Sequence, residues 1–263
     1  MAVAMAEYIG GSEEGFVELM NSRAKELGMD STTFKNACGL DEEGHLTTAG
    51  DIAIMSRELL DNFPEIKEYT TTWQDTITVG LPGKEKEFGL TNTNKLIRQY
   101  QGCDGIKTGF TSDAGYCLSA SACRGDTRFI AVALGCETSP KRNAEVAKML
   151  DYGFANYKRV TVLTKGDRLG QRVPVRLGMA NEVEAAVGTG MSMLLKPGQE
   201  KQLSLEVELP AEVPAPVHAG DTLGMIRIKL DGSVIARLPA VAAEDVGMPG
   251  LLEGFFRVLN NWR

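Results

Sequence analysis

The spacing of apolar residues divides the chain into a front part in which helical and strand periods alternate, and a back part of short β-branched runs. Phe16, Met20, Ala24 and Leu27 recur at helical spacing; Ser12 followed by Glu13 and Glu14 predicts the start of that helix and Gly28 its end. Thr48-Ala49-Gly50-Asp51 is a variant capping box that opens a second helix through Leu60, with Ile52, Met55 and Leu59 inward. Pro64 suits the first turn of a short helix through Tyr69. The period then drops to two. Residues 72–79 and 85–90 flank Gly80-Leu81-Pro82-Gly83 and predict a hairpin leading into an Asn92-Thr93-Asn94 turn. Strands follow over 104–111, 114–122 and 127–135, the last two joined at Arg124-Gly125-Asp126. Ser139-Pro140 reads as an N-cap with Pro at the first helical position, and Ala144, Ala147, Leu150 and Phe154 mark the packed face of a helix ending near Tyr157.

From Lys158 helical periodicity disappears until Asp245, which predicts a separate all-β domain over 158–246. Its strand candidates are 160–162, 173–175, 184–187, 192–195, 203–209 and 225–230, with a hairpin turn at Asp231-Gly232. Lys165-Gly166-Asp167-Arg168-Leu169-Gly170 recurs as Ala219-Gly220-Asp221-Thr222-Leu223-Gly224, the mark of two equivalent turns in a sandwich. Over 247–263, Leu251, Leu252, Phe255, Leu259 and Trp262 fall on one helical face, a pattern open to two readings: an amphipathic anchor on a membrane surface, or a terminal helix packed on the β domain.

At 263 residues the chain is long enough for two cores. A net charge of -7 with no basic stripe argues against nucleic acid as a partner. The apolar start Met1-Ala2-Val3-Ala4-Met5-Ala6 has no basic residues before it and meets Glu7 at once, so it does not read as a signal peptide. Cys38, Cys103, Cys117, Cys123 and Cys136 show no C-x-x-C spacing, and small thiols packed in core or strand are the expected reading for all five. His45 and His218 lie in different predicted domains, which disfavours a Ser-His-Asp triad; each reads as a solvated loop histidine. No H-E-x-x-H, EF-hand or phosphate-binding loop is present, and no metal or cofactor is implied.

The candidate chemistry sits in Asp104-Gly105-Ile106-Lys107-Thr108-Gly109-Phe110-Thr111. Lys107 supplies a compact cation and Thr108 a hydroxyl donor, together suited to hold a carboxylate by charge-assisted hydrogen bonds. Gly109 leaves room for a peptide to lie along the strand edge. Substrate-binding residues are therefore expected at Lys107, Thr108, Gly109, Phe110 and Thr111. The only S-x-x-K, Ser22-Arg23-Ala24-Lys25, falls inside a continuous amphipathic helix and is not expected to be a nucleophile and its base.

The Lys-Thr-Gly triplet, with Asn92-Thr93-Asn94-Lys95-Leu96-Ile97 before it and Ala114-Gly115-Tyr116-Cys117-Leu118 after it, resembles the D-alanyl-D-alanine carboxypeptidases among the low-molecular-mass penicillin-binding proteins. Phe34-Lys35-Asn36-Ala37-Cys38-Gly39-Leu40-Asp41 and 45–51 resemble the same family around its helical subdomain. The resemblance implies an α/β penicillin-binding, serine β-lactamase-like domain over 1–157, partial, with an antiparallel sheet and helices. It implies a serine that attacks the penultimate D-Ala carbonyl of a peptidoglycan stem peptide ending in D-Ala-D-Ala, β-lactams as inhibitors, and an extracytoplasmic location. It also implies that the backbone N–H of Phe110 lines the oxyanion hole. By this register the nucleophile segment precedes Met1, so no catalytic residue is expected in the chain and little activity from it alone. A serine β-lactamase-like hydrolase, or a non-catalytic protein that binds cell wall or membrane, are the other readings.

Overall fold

A computed structural model describes residues 1–250 and divides the chain into two compact units, Met1–Ala155 and Asn156–Arg263. The first unit opens with α1 (Ala2–Gly10) and α2 (Glu13–Glu26), followed by α3 (Ala49–Asn62) and α4 (Ile66–Thr70). The hairpin β1 (Gln74–Val79) and β2 (Lys86–Thr91), the single turn α5 (Leu96–Gln99), the strands β3 (Cys103–Thr111), β4 (Gly115–Arg124) and β5 (Thr127–Cys136), and α6 (Ser139–Asn156) complete it.

The capping signals act as expected. Ser12 Oγ accepts from Gly15 N at 3.0 Å and Thr48 Oγ1 accepts from Asp51 N at 3.1 Å, each satisfying a donor left free at a helix start. α6 differs by one position. Thr138, not Ser139, is its cap: Thr138 Oγ1 accepts from Lys141 N at 3.3 Å and its carbonyl from Arg142 N at 3.0 Å. α1 is not marked in the sequence, because no side chain caps it; it is held by burial of Ala6 against α2.

β3, β4 and β5 form an antiparallel sheet in that order, so β3 is an edge strand. The side-chain alternation of β4 separates two jobs. Leu118, Ala120 and Ala122 enter an apolar cluster with Val146 and Leu150 of α6, while Ser119 on the other face shares a 2.7 Å hydrogen bond with Ser56 of α3. One face is thus sealed by a helix and the other is tied to one through paired buried hydroxyls, which fixes the register of the sheet that carries Lys107. The β1–β2 hairpin is exposed on both strands throughout.

Of the five thiols, Cys103 is buried and Cys117, Cys123 and Cys136 are half-buried, as packing requires, but Cys38 is exposed in a loop, its thiol 3.5 Å from Asn36 Oδ1. The expectation of a packed thiol fails there because that loop is held by polar bonds around Asn36 rather than by a core.

The second unit contains β6 (Lys158–Leu163), β7 (Arg168–Arg176), β8 (Glu182–Val187), β9 (Met191–Leu195), a short 3-10 turn, β10 (Leu203–Glu208), β11 (Val213–Pro214), β12 (Thr222–Leu230) and β13 (Ser233–Ala242). Six strands pair in the order β10-β12-β13-β8-β7-β11, and β6 with β9 forms a separate ribbon. The sandwich is therefore unequal: Leu163 of β6 and Met191 of β9 pack with Ile226 and Ile228 of β12 and Val187 of β8.

The short sequence repeat has a clear structural meaning. Thr164 N donates to Asp167 Oδ2 and Asp167 N to the Thr164 carbonyl, both 3.1 Å; His218 N and Asp221 do the same at 2.7 and 2.9 Å. Gly166 N and Val187 N then bond to Val187 and Asp167 carbonyls, as Gly220 N and Ala242 N do to Ala242 and Asp221 carbonyls. Ala186 faces Val241 across the β8–β13 pair, and the two turns are related by a local twofold through that pair. Residues 247–250 are irregular and the rest of the proposed terminal helix, 251–263, lies outside the described residues.

Candidate functional site

The site is built on the open edge of β3. Gly105 lets the strand begin where it does: a Cβ there would lie 2.9 Å from Thr70 Oγ1, which itself donates to the Asp104 carbonyl at 2.6 Å. Only a residue without a side chain allows α4 to approach so closely. The Asp104 carboxylate is held by Arg128 of β5, at 2.7 Å, and Arg128 also reaches Ser121.

Asn92 and Asn94 fasten the preceding turn to this strand. The Asn92 amide donates to the Thr70 and Thr72 carbonyls, both at 3.1 Å, while its Oδ1 accepts from Asn94 N at 2.9 Å. Asn94, only 2% exposed, donates to the Gly105 carbonyl at 2.9 Å and accepts from Leu96 N at 3.2 Å. Both amides are spent inside the protein. Thr93 between them is exposed, and its Oγ1 lies 2.5 Å from Thr108 Oγ1.

The predicted residues are thus gathered on one strand, with a physical complication. Strand alternation sends Lys107 and Thr108 to opposite faces. The long Lys107 side chain folds back onto the backbone, its ammonium donating to the Thr108 carbonyl at 2.5 Å. Two of its three donors remain for a ligand. Gly109 has no packing reason to be glycine: a Cβ would sit 3.7 Å from Cys117 Cβ, ordinary van der Waals distance. Phe110 is 58% exposed and lies against Tyr116, its cross-strand partner, with ring centroids 4.3 Å apart. Thr111 Oγ1 is engaged in the turn, accepting from Ala114 N at 3.0 Å.

One cation at the site has no counterpart in the sequence reading. Arg142, 3% exposed, lies in the first turn of α6 and donates to Asn143 Oδ1 at 2.9 Å, Ser139 Oγ at 3.1 Å and the carbonyl of Cys117 at 3.5 Å. Cys117 is the β4 partner of Gly109, so the guanidinium reaches the strand paired with β3. Burial pulls its pKa below the ordinary arginine value, opposed by the nearby Cys136 and Cys117 thiols, and no carboxylate pairs with it among the described residues. A clue was present in the sequence: Lys141 and Arg142 open a helix where the dipole favours acids.

Other shifts mark burial around the same sheet. Burial pushes the Cys103 thiol up, and Tyr100 is raised to about 12, first by burial and then by donating to Asp151 at 2.7 Å. Among the described residues no cluster of His, Cys, Asp and Glu could hold a metal ion. Ser22 and Lys25 are both exposed on α2. His45 and His218 fall in separate units, as the sequence indicates.

A family model described as D-alanyl-D-alanine carboxypeptidase matches residues 1–138, and one described as penicillin-binding protein 5, C-terminal domain, matches 157–248. The chain belongs to the D-alanyl-D-alanine carboxypeptidase family. It is 42% identical over 262 residues to the carboxypeptidase DacF of Bacillus subtilis, covering 99% of this chain and 66% of that protein. Of solved structures, penicillin-binding protein 5 from Haemophilus influenzae superposes with a TM-score of 0.72 at 30% identity, covering 93% of this chain and 70% of that one. Penicillin-binding protein D2 from Listeria monocytogenes in its cefotaxime-bound form gives a TM-score of 0.50 at 38% identity, covering 58% of this chain and 60% of that one. The chain spans under two thirds of the length of the curated relatives it matches. Membership of the family confirms the α/β penicillin-binding fold class followed by a β domain, and it does not favour the readings as a β-lactamase or a non-catalytic binding protein.

Proposed function

We propose that this protein is a serine-type D-Ala-D-Ala carboxypeptidase of peptidoglycan metabolism, and that β3 of this chain binds the C-terminal carboxylate of the stem peptide. The observation that carries the reading is the open β3 edge, where the Lys107 ammonium rests on the Thr108 carbonyl and the Thr108 hydroxyl bonds Thr93, beside a glycine that packing does not require. A peptide laid antiparallel to this edge would present its carboxylate to one cation and one hydroxyl, and its backbone to unpaired strand groups. Phe110 would offer its N–H to the oxyanion that forms on attack. Ser22, exposed in the middle of α2, is not assigned as nucleophile, and no residue described here is given that role.

Family membership supports the acyl-enzyme chemistry, and the cefotaxime-bound relative supports β-lactams as compounds that occupy the same site. A substrate in peptidoglycan would support a location outside the cytoplasmic membrane. The helical spacing of Leu251, Leu252, Phe255, Leu259 and Trp262 in the sequence supports contact with a membrane surface.

Gly109→Ala tests the reading at the strand itself. The variant should melt within about 1 °C of the parent, because the new methyl group meets only ordinary contacts. Its affinity for an N-acyl-D-Ala-D-Ala peptide, measured from amide chemical shifts of β3 in an NMR titration, should fall about tenfold or more as the methyl group intrudes on the bound backbone. Unchanged affinity together with unchanged stability would remove the peptide from this edge.

A further inference from the structure

We infer that Thr93 is a positioning residue for the carboxylate site: it donates its hydroxyl proton to Thr108 Oγ1 and thereby aims the Thr108 proton at the ligand. This rests on the proposed binding of the stem-peptide carboxylate at β3. A threonine hydroxyl has one proton to donate, and a carboxylate can only accept. Thr108 therefore serves an anion only when its own proton is not spent on a protein acceptor. Its one hydroxyl partner among the described residues is Thr93 Oγ1, at 2.5 Å, and either oxygen of that pair can be the donor. With an anion bound, only one arrangement satisfies every group, in which Thr93 donates to Thr108 and Thr108 donates to the carboxylate.

Thr93 is free to take that part. Its hydroxyl makes no other hydrogen bond among the described residues, whereas the amides on either side are committed to the Thr70, Thr72 and Gly105 carbonyls. The turn holds Thr93 still while leaving its hydroxyl available, and a chain of two hydroxyls polarises itself so that the terminal donor is strengthened. Valine has the same shape and lacks the proton. In Thr93→Val the Thr108 hydroxyl loses its fixed orientation though the turn keeps its anchors.

The test is an NMR titration of the 263-residue chain with an N-acyl-D-Ala-D-Ala peptide as free acid and as C-terminal amide. Thr93→Val should weaken binding of the free acid about three- to tenfold, the range expected of one neutral hydrogen bond, and leave the amide unaffected. Thr93→Ser should restore most of the loss, and the melting temperatures of all three proteins should agree. Lys107→Ala serves as the reference for the site. If Lys107→Ala weakens free-acid binding and Thr93→Val does not, the role of Thr93 is overturned and the carboxylate site stands. Equal losses for acid and amide in Thr93→Val would also overturn it, since the damage would then lie in the turn. No binding by the parent chain, or no response to Lys107→Ala, would overturn the carboxylate site and the role of Thr93 with it.

Discussion

Lys107→Ala is expected to lower turnover of a free-acid D-Ala-D-Ala peptide by roughly ten- to more than a hundredfold in the protein assayed at its full length. The expectation follows from losing a charge-assisted hydrogen bond, worth about 1.5–3 kcal/mol. An analogue whose terminal carboxylate is amidated should lose far less, because it never formed the ion pair. Lys107→Arg should keep part of the activity: charge survives, but the planar guanidinium does not reproduce the compact ammonium that folds onto the Thr108 carbonyl. The measurement is kcat/KM for acid and amide substrates side by side. Equal losses for both would show that Lys107 acts on something other than the carboxylate.

Asn94→Ala should give the largest loss of stability at the site. Removing this amide leaves the Leu96 N–H without a partner and the Gly105 carbonyl with only the weak Cys103 thiol donor, in a place that is only 2% exposed. One buried donor left unsatisfied and one carbonyl left with a weak donor cost about 2–4 kcal/mol together, which for a unit of this size lowers the thermal midpoint by roughly 4–12 °C. Asn94→Asp keeps the acceptor for Leu96 N but turns a carboxylate toward the Gly105 carbonyl. That carboxylate is disfavoured in the folded state, so its folded pKa is raised. The penalty should therefore be fully present near neutral pH and shrink as the pH falls toward 4, where a protonated carboxyl can donate. Thermal melts of the parent and both variants at pH 7 and pH 4 decide it; an Asn94→Ala protein that melts with the parent would mean the turn is not fixed by this residue.

What could be read from the sequence and what could not have separate physical causes. Ser12 and Thr48 were legible as caps because a side chain bonds a helix donor there, and α1 was not because nothing caps it. The α6 cap was displaced by one residue because Thr138 and Ser139 are chemically equivalent candidates and only the backbone path selects between them. The paired Gly-Asp turns were legible since each uses the same aspartate-to-backbone bonds, which constrain sequence locally. The lopsided count of strands in the sandwich was not, because pairing across distant segments leaves little trace in local period.

At the site the same division holds. Lys107, Thr108 and Gly109 are contiguous, so their chemistry was visible as a motif. Thr93 and Arg142 reach this sheet from elsewhere in the chain, through a 2.5 Å contact between hydroxyls and through a carbonyl of the neighbouring strand, and no periodic pattern announces such contacts. The Asn92 and Asn94 anchors stood in plain view as turn residues, but which carbonyls they would bind was fixed only by packing of α4 and β3.

The most direct test is a crystal structure of this chain with an N-acyl-D-Ala-D-Ala free acid. The account predicts the peptide antiparallel to β3, its carboxylate within about 3 Å of Lys107 Nζ and Thr108 Oγ1. A peptide bound elsewhere on the chain, or bound at β3 with its carboxylate turned away from both groups, would contradict it.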